Sequence, residues 1–141
     1  MKTQVFVLVP YSLGPSALVE LADALIMRHQ MLDEDRSVGR FDYLVGSSGC
    51  FDDPIAEGRL PARVRRSLHH RVCEMERLPI EFVPGALITP DGLWHDLDND
   101  GRLVNGDGQA NPNALTRWEA RYRELITQHP YCWVLEYRAH S

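Results

Sequence analysis

The sequence predicts an α+β domain of ferredoxin-like type, a βαββαβ sandwich with an extra basic helix inserted between strands 2 and 3. Three observations carry that expectation. Apolar residues alternate or run together at both ends of the chain, they recur at helical spacing in three stretches between, and Gly, Pro and Asn mark the boundaries. With 141 residues and 44% hydrophobic content, the chain suffices for one domain, 1–141, with its own core.

Each element follows in order. Gln4 to Val9 is almost wholly apolar, as a strand covered on both faces must be. Gly14-Pro15 opens a helix, because proline is tolerated at the first helical position. Leu18, Leu21, Ala22, Leu25, Ile26 and Leu32 give that helix a buried stripe, and the polar run at 33–40 ends it. Phe41 to Val45 reads as a short strand and 46–50 as a glycine-rich loop. Residues 59–77 read as a second helix with Leu60, Val64, Leu68, Val72 and Met75 on its apolar side. Glu81 to Thr89 is a strand interrupted at Pro84-Gly85, Pro90-Asp91-Gly92 is a type I turn, and Leu93-Trp94-His95 returns as the hairpin partner. Asn111-Pro112 caps the last helix, whose stripe is Leu115, Trp118, Tyr122, Leu125 and Ile126, and His129-Pro130 stops it. In the closing strand Tyr131, Trp133, Leu135, Tyr137 and Ala139 face one way, and Cys132, Val134, Glu136, Arg138 and His140 the other.

Bulk properties exclude several classes of function. No apolar run reaches the length of a membrane span, and the N-terminal apolar stretch has no small-residue cleavage site after it. Three cysteines without a C-x-x-C pair do not make a disulfide framework, so the cytoplasm of a bacterial host is the expected compartment. The net charge of −5 disfavours a dedicated nucleic-acid binder. Charge is nonetheless polarised. Arg59, Arg63, Arg65, Arg66, Arg71 and Arg77 crowd one segment, and Asp91, Asp96, Asp98, Asp100 and Asp107 crowd another.

Those two segments supply the candidate sites. Arg59, Arg63, Arg66, His70 and Arg77 share one face of the expected basic helix, a surface for docking a host or phage protein. Asp96, Asp98 and Asp100 stand at positions one, three and five of a calcium loop, with Gly101 at the sharp turn. Arg102 would offer its backbone carbonyl at seven and Asp107 its carboxylate at twelve, so Ca2+ is the cofactor to test. The match is incomplete, since Val104 offers no side-chain oxygen at nine and aspartate is shorter than the usual glutamate at twelve. His69 and Cys73, four apart on the expected helix, would need Cys50 or His95 to complete a zinc site or a nucleophile pair. The loop Gly46-Ser47-Ser48-Gly49 has the composition of a phosphate cradle without the lysine of a P-loop. Trp94, Trp118 and Trp133 take core positions, and His140 is a strand-end residue.

Three stretches carry a resemblance: Phe41-Asp42-Tyr43-Leu44-Val45-Gly46, the run ALITPDGLWH at 86–95, and the ending HPYCWVLEYRAHS at 129–141. Together they resemble a group of small uncharacterised bacteriophage and mobile-element proteins. The chain departs from that group at Gly46-Ser47-Ser48-Gly49-Cys50, where relatives tend to have Gly-Gly-Arg-Trp, and in its Asp-rich loop. The resemblance implies a phage or mobile-element origin and carries no activity with it. The expected function is therefore non-catalytic macromolecule binding, as host interaction or inhibition, through the Arg-rich helix and the acidic loop. A calcium-binding module and a small Cys/His-dependent hydrolase or transferase are the alternatives.

Overall fold

The computed structural model describes residues 2–13, 17–30, 39–41, 43–45, 71–100 and 108–140. Its elements are β1 (Lys2–Pro10), α1 (Leu18–Met27), β2 (Tyr43–Val45), β3 (Arg71–Glu74), β4 (Ala86–Ile88), β5 (Trp94–Asp96), the single turn α2 (Leu97–Asp100), α3 (Ala114–Thr127) and β6 (Cys132–His140).

The two nine-residue strands organise the rest. β1 and β6 pair antiparallel along their whole length, from Lys2 opposite His140 to Pro10 opposite Cys132. The other edge of β1 is taken by β4, which runs parallel to it and turns back as β5. The other edge of β6 would leave a long row of backbone donors and acceptors unmatched. Two short strands divide it end to end: β2 opposite Arg138 to His140, and β3 opposite Trp133 to Glu136. Among the described residues this makes one mixed six-stranded sheet in the order β2-β6-β1-β4-β5, with β3 also on β6.

Side-chain alternation along β1 separates two cores. Val5, Val7 and Val9 face α1, where Leu18, Ala22 and Ile26 recur every fourth residue and bury completely. Phe6 and Leu8 face α3, whose Trp118, Tyr122 and Leu125 pack on them together with Cys73, Cys132 and Val134. The two helices therefore cover opposite faces of the sheet.

That arrangement corrects the ferredoxin-like expectation. A two-layer βαββαβ sandwich keeps its helices on one face, whereas both faces of β1 and β6 are apolar here and each demands its own cover. The 43–45 strand also joins β6, not the third strand, because the outer edge of β6 needs a partner. A second correction concerns the basic helix expected over 59–77. Residues 59–70 lie outside the described residues, and 71–77 form β3 followed by a 3-10 turn, Met75–Arg77. Val72 buries into the α1 face and Cys73 into the α3 face, and consecutive residues pointing to opposite faces are the signature of a strand.

Smaller differences have local causes. The strand expected from Glu81 begins only at Ala86, because Phe82 N–H turns back to the Pro79 carbonyl and Pro84 offers no donor. Gly85 then donates to the Gln4 carbonyl so closely that a Cβ there would sit 2.7 Å from Thr3 Cγ2. The last helix begins at Ala114, not at Pro112, since Asn111 Oδ1 accepts the Asn113 N–H and holds a turn before it. The buried stripe accordingly starts with Ala114, and Leu115 is exposed. Leu32, placed in the stripe of the first helix, lies outside the described residues.

Candidate functional site

The hairpin that joins β4 to β5 concentrates the polar chemistry of the described residues. Its turn is closed twice. Gly92 N–H donates to the Thr89 carbonyl at 2.8 Å, and Thr89 N–H donates to the Leu93 carbonyl at 3.2 Å. Gly92 sits at φ 86°, the left-handed conformation that brings a type I turn back into register with its strand. This is why Pro-Asp-Gly works here: proline sets the first corner, aspartate bonds the backbone, and glycine alone adopts the last conformation without strain.

Side chains then lock the turn. Thr89, almost fully buried, donates its hydroxyl proton to Asp91 Oδ1, and Asp91 Oδ1 also accepts Leu93 N–H at 3.2 Å. His95 Nε2 lies 3.3 Å from the same threonine oxygen. A hydroxyl has one proton, and Asp91 receives it, so Nε2 of His95 must carry a hydrogen and donate. The result is a directed relay from His95 through Thr89 to Asp91. The threonine bond, with the Leu93 amide and the nearby imidazole helping, holds the Asp91 carboxyl below the usual carboxylate range against a smaller opposing effect of burial.

A second histidine anchors the hairpin to the body of the domain. His29, just past the end of α1, donates from Nε2 to the Gly92 carbonyl at 2.9 Å. Its ring also lies 5.3 Å from that of Trp94, which stacks on Phe41 at 6.3 Å. Trp94 Nε1 in turn donates to Asp96 Oδ2 at 2.8 Å. At the tip Leu93 is 57% exposed, and Asp91 beside it is exposed as well.

The proposed calcium ligands divide along the chain. Asp96 ends β5, half-buried against Trp94, and Asp98 is exposed on α2. The backbone from 97 to 100 makes one helical turn. Asp100 closes that turn, and Arg102 and Asp107 lie outside the described residues. Among the described residues no three His, Cys, Asp or Glu side chains converge on one point.

The other sites expected from sequence fare as follows. Arg59, Arg63, Arg66 and His70 lie outside the described residues, as do Cys50, His69 and the Gly46–Gly49 loop. Arg77 is exposed at the end of its 3-10 turn. Cys73 is on β3, so the helical spacing that put it beside His69 does not exist. Its thiol is buried, donates to the Glu74 carbonyl at 3.1 Å, and is pushed up to about 12 by burial and then by the charges of Glu74 and Glu76. Burial likewise pushes Cys132 up to about 11. Neither thiol is a nucleophile at neutral pH, because the thiolate is the reactive species. His140 stacks on Tyr43 at 4.6 Å and 9°, a strand-end contact as expected.

Sequence reading missed the relay. Its signal was present as Thr89, Asp91 and His95 at spacings of two and four residues with Pro90 between the first two, yet only the hairpin's closure puts the histidine beside the threonine. The His29 contact had no such signal, since it spans 63 positions. The chain matches no family model, no curated protein and no solved structure. The fold and the hairpin together define a mixed α/β domain with a helix on each face of its sheet and a polar hairpin locked at one edge. Among the described residues no helix is long and apolar enough to cross a membrane.

Proposed function

We propose that this is a non-catalytic macromolecule-binding protein of phage or mobile-element type, which presents the 89–96 hairpin and its acidic continuation to a host or phage protein. The observation that carries the reading is the state of the hairpin tip. Leu93 is outward, while the turn beneath it is fixed by backbone bonds, the Thr89–Asp91–His95 relay and the His29 anchor. A tip already held in one conformation loses little entropy on binding. The Arg-rich segment at Arg59, Arg63, Arg66, His70 and Arg77 is the second contact surface in this reading.

Burial of the Cys73 thiol removes one cysteine that the Cys/His hydrolase alternative could use, while its Cys50 and His69 lie outside the described residues. The test is capture from bacterial lysate by immobilised protein, with Leu93→Asp and with Arg59, Arg63 and Arg66 all changed to Glu. A partner lost to either change while the melting temperature holds supports the reading. A partner retained by both variants overturns it. The calcium-module alternative is decided in the same experiment, because it requires that chelator abolish capture and that Asp98→Ala do the same.

A further inference from the structure

We propose that the cavity between residues 75–82 and α3 is a binding site for a small amphiphilic carboxylate, an acid with a compact aliphatic body such as a medium-chain fatty acid. It lies on the α3 side of the sheet, away from the core that holds Trp94, and is independent of the hairpin reading.

The cavity follows from how the chain leaves β3. Leu78 N–H turns back to the Met75 carbonyl and Phe82 N–H to that of Pro79, so the segment bows outward before β4 begins. The space between it and α3 measures about 310 Å3, the low end of the range for small-molecule sites of ~300–1,000 Å3. Its walls are Met75, Leu78, Phe82, Ile126 and the ring of Tyr122, so an aliphatic or aromatic body is the natural occupant. Methionine adds a flexible wall that fits itself to irregular ligands.

One charge on the wall selects the head group. Arg123 is held in place by two bonds from Nη2, to the Ile80 carbonyl at 2.9 Å and to Glu119 Oε1 at 3.0 Å. Its Nε and Nη1 donors have no partner among the described residues. A guanidinium has five such hydrogens in a rigid plane and prefers a carboxylate. The Glu119 pair is an i,i+4 contact with both side chains partly in water, a weak interaction that an incoming carboxylate can share or displace. Tethering to Ile80 fixes the cation at the mouth of the cavity, so the body of the ligand enters while its head stays at the rim.

The test is a titration of the full chain with octanoate and with octan-1-ol, followed by amide chemical shifts. Octanoate is expected to give saturable shifts at Ile80, Arg123 and Thr127. Arg123→Gln should weaken octanoate by about tenfold or more, the value of one hydrogen bond to a charged group, and leave octan-1-ol unchanged. Ile126→Trp, which fills the cavity, should abolish both. Absence of saturable shifts, shifts clustered elsewhere, or equal octanoate affinity in wild type and Arg123→Gln would each overturn the proposal. If Ile126→Trp does not fold, the Arg123→Gln comparison still decides.

Discussion

The two faces of the sheet are filled by different means. Under α1 three valines of β1 meet Leu18, Ala22 and Ile26 at helical pitch, with the rings of Phe41, Trp133 and Tyr137 in the same core. A part-buried polar contact on this side is the hydroxyl of Tyr137, which donates to Asp23 Oδ1 at 2.6 Å. Under α3 the core is aromatic and sulfur-bearing, with Trp118, Tyr122, Phe6, Cys73 and Cys132, and it ends in a cavity. The space on the α3 side opens where the chain from Met75 to Phe82 turns back on itself before β4 begins. The α1 face is closed further by the hairpin through His29 and Trp94. The α3 face is closed by a segment with few regular bonds. The hairpin thus adds cover on the α1 side, and the cavity lies on the α3 side.

That contrast can be broken from either side. The largest effect is expected for Trp118→Ala, which removes the biggest buried ring of the α3 face and leaves the Pro84 carbonyl without its indole donor at 2.8 Å. Chemical denaturation should show a loss of about 3–5 kcal/mol. A loss below about 1 kcal/mol, the size of an ordinary surface change, would mean that α3 contributes little to that core. Gly92→Ala comes next. A methyl at φ 86° strains the backbone and meets Arg28 Nη1 at 2.9 Å, so about 1–3 kcal/mol should be lost together with the His29 anchor. The amide shift of Leu93 would report the loosened tip directly.

Tyr137→Phe should cost about 1 kcal/mol, because the ring still packs and only the bond to Asp23 goes. Burial, followed by that bond and the Asp23 charge, raises the phenol well above its usual range, so wild-type Tyr137 should stay protonated through pH 11 in an ultraviolet titration. Cys73 and Cys132 should resist iodoacetamide at pH 8 in the folded protein and react once it is unfolded. Rapid labelling of either in the native state would contradict the packing of the α3 face.

The smallest effect is a pH dependence at Asp91. Its folded value lies below the unfolded one, so its contribution is fully present above the ordinary carboxylate pKa of about 3.9 and is lost as pH falls through the folded value. Melting temperatures of wild type and Asp91→Asn should differ at pH 6 and converge towards pH 2. A constant gap across that range would show that the Thr89 bond does not depend on the charge.

Much of this fold was legible in the chain, because it depends on local pattern. The alternation in β6 gave both of its faces correctly, and the Pro-Asp-Gly turn closes with the bonds those residues favour. The stripes of both helices were right except at their ends, Leu115 being replaced by Ala114. Residues 71–77 were misread because Val72 and Met75 fit a helical period as well as a strand followed by a turn. Only the empty edge of β6 resolves the choice. The candidate site was half legible. Its acids were visible as acids, but the Asp96–Asp107 motif hid the fact that Asp96 is engaged by Trp94.

The sequence by itself determined the strands of the core other than β3, the hairpin and the two amphipathic helices, since periodicity and turn chemistry act over a few residues. It also determined that β1 and β6 must be covered on both faces. Tertiary structure alone decided which face each helix takes, how β2 and β3 divide one edge of β6, and where Arg123 and His29 reach. Those outcomes depend on partners tens of residues away, whose meeting is set by unmatched backbone edges and shared buried area. No local pattern records either quantity.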